Sequence, residues 1–270
     1  MQEHGFWRSC GIPVAVSVGA LTATNALWNH APESLGLKFV PTSLVVDLLA
    51  GSCLALFLLR RALRAGRVTP GELGLDLSGW TSPRRLAGLA LIVVCGYGQF
   101  AWFGPAAASW GDYSFWYVFL LMASLAEVLV FVGVVFCLGE AWLRRRGFGP
   151  VTAAALPAAF ACVAYGLYHF SHEPRFQAYV LATMPELFLV LLYFVLTRNF
   201  TLMLALHNAF AAVAFTREQY SPENPLPADQ VSQLREPQVV VVVLFCFLVP
   251  FLLLHWLEWR AQPPARKASL

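Results

Sequence analysis

Three side chains stand where ionisable groups are costly. Glu127 interrupts the apolar run Leu125-Ala126-Glu127-Val128-Leu129-Val130-Phe131, His169 closes Ala164-Tyr165-Gly166-Leu167-Tyr168-His169, and His207 ends Met203-Leu204-Ala205-Leu206-His207. A carboxylate is a general base or a proton carrier, and an imidazole can donate, accept or ligate. One Glu with two His therefore fits a water-activating hydrolase, a zinc set or a proton relay. Asp47, Glu140 and Glu186 are further acids in apolar stretches. Glu140 lies one helical turn before Arg144–Arg146 and reads as a solvated or paired acid at the membrane interface. Asp47 and Glu186 read first as helix–helix hydrogen-bond partners. His255 and Glu258 end the last apolar stretch, where side chains reach water by snorkelling. His172 and Glu173 fall just past the stretch that holds His169 and read as solvated.

The elements that carry these residues follow from composition. Of 270 residues, 59% are hydrophobic and 12% charged, about half the charged share of a soluble domain. The apolar residues gather in blocks of the length a helix needs to cross about 30 Å of hydrocarbon. Backbone groups in lipid must be satisfied within the segment, so such blocks are helices. The pattern predicts an all-α, polytopic bundle of about eight spans, near 10–28, 39–60, 86–104, 115–139, 150–170, 176–196, 200–215 and 238–258. The first is read as a retained span, without a convincing cleavage site. Residues 61–85 hold two helix-start patterns, Thr69-Pro70-Gly71-Glu72 and Thr81-Ser82-Pro83-Arg84, and predict a short interfacial helix. Residues 216–237, with four prolines, read as an outer loop. The whole chain reads as one integral membrane domain.

Basic residues set the expected orientation. With the N-terminus inside, the inner segments carry Arg8, Arg60, Arg61, Arg64, Arg67, Arg84, Arg85, Arg144–Arg146, Arg198, Arg260, Arg266 and Lys267. Only Lys38, Arg175, Arg217 and Arg235 of the 18 cations fall outside. This bias predicts an N-in, C-in topology and a bacterial plasma membrane. Six cysteines lie on six different predicted spans, with no ligand spacing among them, and read as small buried hydrophobes. The net charge of +3 is too small to point to nucleic acid.

The polar residues also fall into an ordered set of motifs. Glu127-Val128-Leu129-Val130-Phe131-Val132-Gly133 precedes the basic turn Trp142-Leu143-Arg144-Arg145-Arg146-Gly147-Phe148-Gly149. Next comes Tyr165-Gly166-Leu167-Tyr168-His169. Last is His207-Asn208-Ala209-Phe210-Ala211, preceded by Thr197-Arg198-Asn199-Phe200-Thr201. Over residues 115–215 this order resembles the CPBP intramembrane proteases, named for CAAX-protein endopeptidases and bacteriocin-processing proteins. Their motifs are Glu-Glu-x-x-x-Arg, Phe-x-x-x-His and His-x-x-x-Asn on successive helices. Here Val128 replaces the second acid, Val132 the arginine, Tyr165 the phenylalanine and Ala211 the asparagine. Val128 and Val132 are four residues apart on one helix face, so an ion pair would be lost whole, without a stranded charge.

The resemblance implies an endopeptidase acting on a membrane-associated or exported protein or peptide. Glu127 would be the general base, His169 would hold the water, and His207 would donate to the oxyanion. Tyr165, Tyr168 and Asn208 are candidate substitutes for the missing asparagine. An older view of the family makes the same residues zinc ligands. No HExxH pair accompanies them here, so the expectation is catalysis without a cofactor or metal. Two other classes compete. One is a non-catalytic binding or scaffold protein of the same fold. The other is a proton-coupled transporter, which would enlist Asp47 and Glu186 beside Glu127. If the hydrolase expectation holds, all three polar groups line one cavity, opening toward the extracytoplasmic side.

Overall fold

The computed structural model describes residues 5–30, 43–75, 83–172, 180–221, 225 and 228–261. Ten helices are present among them, and no strand. Helix α1 covers Trp7–Asn29. Helix α2 is wound as a π-helix over Ser43–Cys53 and as an α-helix over Leu54–Arg64. Pro83–Phe103 forms α3 and Trp110–Phe119 forms α4. Helix α5, Leu121–Arg145, passes through a π-helical segment, Val128–Cys137. Then come α6 (Pro150–Tyr168, prolonged by the 3-10 turn His169–Ser171), α7 (Val180–Thr197), α8 (Phe200–Gln219), α9 (Ala228–Leu234) and α10 (Pro237–Ala261).

Six of these helices, α1, α3, α5, α6, α8 and α10, are long and apolar enough to cross a bilayer. The two other expected spans coincide with α7, whose apolar part is the shorter Thr183–Thr197, and with α2, which carries Asp47 and three arginines. The expected stretches 39–42 and 176–179 lie outside the described residues. Helix α5 is the centre of the bundle. It is 83% buried, against 22% for α1 and α10 and 24% for α3. Those three present Val94, Trp102, Val241, Leu252 and similar side chains outward, as a lipid-facing surface does.

Three local expectations are corrected. The span expected at 115–139 is two elements. Ser109 accepts from the Asp112 amide while Asp112 accepts from the Ser109 amide, so a capping box starts α4 at Trp110. The chain then turns at Leu120 before α5 begins. Glu127 is thus two turns from the start of α5 rather than at mid-helix. No helix forms at Thr69. Thr69 and Glu72 exchange the expected backbone–side-chain bonds at 2.7 and 3.2 Å, but Gly74 (φ 67°) ends the turn at once. The second start pattern does begin a helix, at Pro83. Residues 216–237 are not a plain loop either: α8 continues to Gln219, and α9 lies within the segment.

Polar contacts gather the helix ends into two groups. At one end Arg67 donates to the Arg8 carbonyl at 2.7 Å and Arg145 donates to the Arg67 carbonyl. Glu140, its side chain 3% exposed, accepts from Arg144 at 2.8 Å and from both terminal nitrogens of Arg198, at 2.7 and 2.5 Å. Arg198 adopts φ 47°, uncommon for a residue with a Cβ. Its two bonds to Glu140 and its stacking on Phe194 hold that turn between α7 and α8.

At the other end Asn25 donates to Ser171 Oγ at 2.8 Å, tying α1 to α6. Asp112 accepts from Arg235 at 2.6 Å and from Tyr220 at 2.8 Å, tying α4 to the segments after α8 and α9. Burial opposes charge on Asp112, yet the bonds from Ser109, Arg235 and Tyr220 outweigh it and hold the carboxyl well below the usual carboxylate range. A depressed carboxyl stabilises the fold above the unfolded value and loses that contribution as pH falls through the folded one. Asp112→Asn therefore lowers thermal stability in detergent near neutral pH by about 1–2 kcal/mol. The deficit narrows as pH drops below about 4, and a melting series against pH checks both features.

Candidate active site

The site forms where four helices meet near the end of the bundle opposite Glu140. Helix α5 supplies Glu127 at the junction between its first α-helical segment and its π-helical one. The wider π turn is rare and recurs at functional sites. Helix α6 supplies Tyr165 and, in its closing 3-10 turn, His169. Helix α7 supplies Glu186 directly after Pro185. Helix α8 starts from an Asn199 cap, whose side chain accepts from the Leu202 amide at 3.1 Å, and carries His207 two turns on.

Small residues let these helices approach. A Cβ on Gly51 of α2 would stand 2.6 Å from the Ala126 Cβ, beside Glu127. A Cβ on Gly166 of α6 would run into the Met184 side chain, two residues from Glu186. Close crossings of this kind are how membrane helices pack without a hydrophobic drive between them.

Glu127 Oε2 is the hub. His207 Nε2 lies 3.0 Å from it, and the Tyr165 hydroxyl donates to it at 3.1 Å. The other ring nitrogen of His207, Nδ1, faces Glu186 Oε1 at 3.4 Å, an ion-pair distance without a linear hydrogen bond. His207 itself is fully buried. Its ring bridges two carboxyls from different helices, and a proton on either nitrogen serves one of them. Glu127 retains 13% side-chain exposure, and its Oε1 has no protein partner among the described residues. Asp47 of α2 is within electrostatic reach of Glu127.

A cavity of about 130 Å³, roomy enough for several waters, runs past this hub. Glu127, Tyr165, His169, His172, Glu186 and Glu218 supply its polar lining, with Ser124 and Thr183. His169 Nδ1 is 2.8 Å from the Tyr165 carbonyl. A carbonyl can only accept, so Nδ1 carries the hydrogen and a neutral ring presents a bare Nε2. His169 and His172 stack at 4.9 Å, at the same end of α6.

Glu127, His169 and His207, named from sequence, are thus brought together, but the expectation that all three line one cavity is corrected: Glu127 and His169 line it, while His207 is fully buried behind Glu127 because both its ring nitrogens face carboxyls. Tyr165 joins them through its hydroxyl. Tyr168 is buried among Phe131, Tyr165 and the rings of His169 and His172. Asn208 does not join the cluster. It accepts from Ser124 Oγ at 2.9 Å and donates to the Tyr117 carbonyl at 2.6 Å, bracing α8 against α4 and α5. Ala211 lines the cavity, one turn beyond His207. Val128 and Val132 are fully buried in the apolar core.

Glu186 and His172 also line the site, although neither stood out as a site residue from sequence. The only signal for Glu186 was an acid in an apolar stretch, the same signal that marked Glu127. His172 was expected in water and is half-buried on the cavity wall; Glu173 lies outside the described residues. Among the described residues no three His, Cys, Asp or Glu side chains form a metal-ligand set. No family model, no curated protein and no solved structure matches this chain.

The hub makes a stability prediction independent of any activity. In a double-mutant cycle, Tyr165→Phe and Glu127→Ala couple by about 1 kcal/mol, as contacting residues do. Thermal or denaturant unfolding of the four proteins in one detergent measures it, and strictly additive effects mean that the contact is absent.

Proposed function

We propose that this chain is an intramembrane endopeptidase of CPBP type that uses Glu127 to activate water. The observation that carries the reading is Glu127 on one cavity wall with Tyr165 and His169, held from behind by the buried His207. Glu127 takes a proton from a cavity water as the water oxygen attacks the scissile carbonyl. His169 Nε2 accepts the second water hydrogen and orients the nucleophile. The carbonyl becomes a tetrahedral oxyanion, to which the Tyr165 hydroxyl turns as donor once Glu127 has taken the proton, while the buried His207 holds the Glu127 carboxyl in place. Glu127 then returns its proton to the leaving amine as the C–N bond breaks.

Ala211 leaves the site one donor short of the family pattern. A missing oxyanion donor costs about 2.7–4 kcal/mol, so turnover is slow with Tyr165 as the donor. No step needs a metal.

The proposal includes eight spans with both termini inside, α2 and α7 joining the six longer helices. The gathering of Arg8, Arg67, Arg145 and Arg198 at one end supports it, because these are the segments that the positive-inside rule places together. The cavity residues lie at the opposite end, so the site opens outward, toward substrates in a bacterial plasma membrane or exported across it. These substrates are proteins or peptides.

One observation favours a second reading, a proton-coupled transporter. Glu186 faces His207, and Asp47 is within reach of Glu127, so acids from α5 and α7 flank one imidazole and a third, from α2, stands next to the first. Such chains carry protons in pumps.

Protein termini from cells carrying wild type or Glu127→Gln at equal abundance, compared by mass spectrometry, decide between them. A protease leaves a small set of membrane or exported proteins with uncut ends only in the variant. Matching profiles, with the protein well expressed, sink the protease reading; proton uptake by proteoliposomes then separates a transporter from a non-catalytic scaffold.

A further inference from the structure

A second cavity lies at the arginine-rich end, far from Glu127. It has a volume of about 700 Å³ and opens between the end of α2, the turn that follows it and the end of α10. Arg60, Leu63 and Arg64 line it from α2, Thr69 from the turn, and Trp256 and Leu257 from α10.

Four other arginines at this end have acceptors. Arg144 and Arg198 share Glu140, Arg67 binds the Arg8 carbonyl, and Arg145 binds the Arg67 carbonyl with Glu72 Oε2 at 3.9 Å. Arg60 and Arg64 differ. Neither has a carboxylate or carbonyl acceptor among the described residues. Among the described residues, Arg60 has the face of Trp256 as its partner, 5.4 Å from the guanidinium carbon to the ring centroid. Two guanidinium groups with unused donors in one cleft form an anion site, since their planar forks match phosphate oxygens two at a time.

The surroundings identify the anion's carrier. Phe57 precedes Arg60 by one helical turn, and Leu253 precedes Trp256 by one turn, so each lies on the same helix face as the cleft residue. Both are exposed, as is Leu252. The cleft is therefore cationic where the helices end and apolar along the helices that leave it. Tryptophan is the residue enriched at headgroup depth. Basic pockets between membrane helices bind acidic lipid headgroups.

We propose that the cleft between Arg60, Arg64 and Trp256 binds the phosphate of an anionic phospholipid, whose acyl chains lie along Phe57 and Leu253. Bound there, the lipid links α2 to α10, the helix that closes the chain against α2 and α5.

The test uses the purified full-length protein in detergent, with lipid added back. Binding of phosphatidylglycerol and of phosphatidylcholine is measured by native mass spectrometry and by the shift in melting temperature. Wild type retains phosphatidylglycerol preferentially and melts higher with it. Arg60→Gln with Arg64→Gln weakens that binding roughly tenfold to thirtyfold, with no change in the phosphatidylcholine sample. Arg61→Gln, the loss of one charge at an exposed neighbour outside the cleft, keeps the preference, whereas Arg60→Gln alone, an equal loss of charge inside it, weakens the preference. The proposal is overturned if the two lipids bind equally, if the double variant keeps the preference, or if Arg61→Gln removes it equally. Inorganic phosphate alone giving the full shift would instead mean a soluble-anion site and would also overturn it.

Discussion

A carboxyl group and an imidazole surrounded by hydrocarbon side chains persist there by holding each other. Glu127 and His207 do so across 3.0 Å, from α5 to α8. The low dielectric around them makes each contact strong and each missing partner expensive. Around this pair the packing of the bundle is constrained. Tyr165 of α6 must bring its hydroxyl to the same oxygen, and Glu186 of α7 must face the far side of the ring. Four helices are thereby fixed in rotation about their axes, because each has one side chain that can turn in only one direction.

A second polar anchor works at the other end. Glu140 lies on the same helix as Glu127 and binds Arg198 from the turn that joins α7 to α8. The helices that carry Glu186 and His207 are therefore clamped to α5 at both ends. The Arg198 backbone adopts a conformation that its own side-chain bonds help to stabilise. A buried ion pair is weak evidence of net stability, but it is good at specifying register. Here it sets how far α7 and α8 slide along α5, and so whether His207 meets Glu127 at all.

The apolar stretch of α5 beyond Glu127 and the cavity wall differ in what they tolerate. Val128 and Val132 lie in a part of α5 that is fully buried, so an unpaired charge at either position would have neither water nor a partner. Ala211, one turn beyond His207, borders the cavity instead, where a polar group would be solvated.

Hydropathy determined the class of fold, because the bilayer admits only helices and sets their length. Seven of the eight apolar blocks became single helices within a few residues of their expected limits. The eighth was divided at Leu120, and the first of its two helices starts from the capping box of Ser109 and Asp112, a local signal that hydropathy averages away. Glu127, His169 and His207 were legible for a related reason: in a chain so apolar, an ionisable residue stands out. Which of them meet was not legible. Distances between helices depend on crossings set by Gly51 and Gly166 and on rotations set by Glu140 and Arg198, and neither leaves a periodic trace in the sequence. The tertiary structure alone separated Asn208, adjacent to His207 but turned toward Tyr117, from Glu186, twenty-one positions away and facing the same ring. Sequence fixes which side chains are too polar for their segment; only packing decides which neighbour each one finds, because in lipid the partners come from other helices.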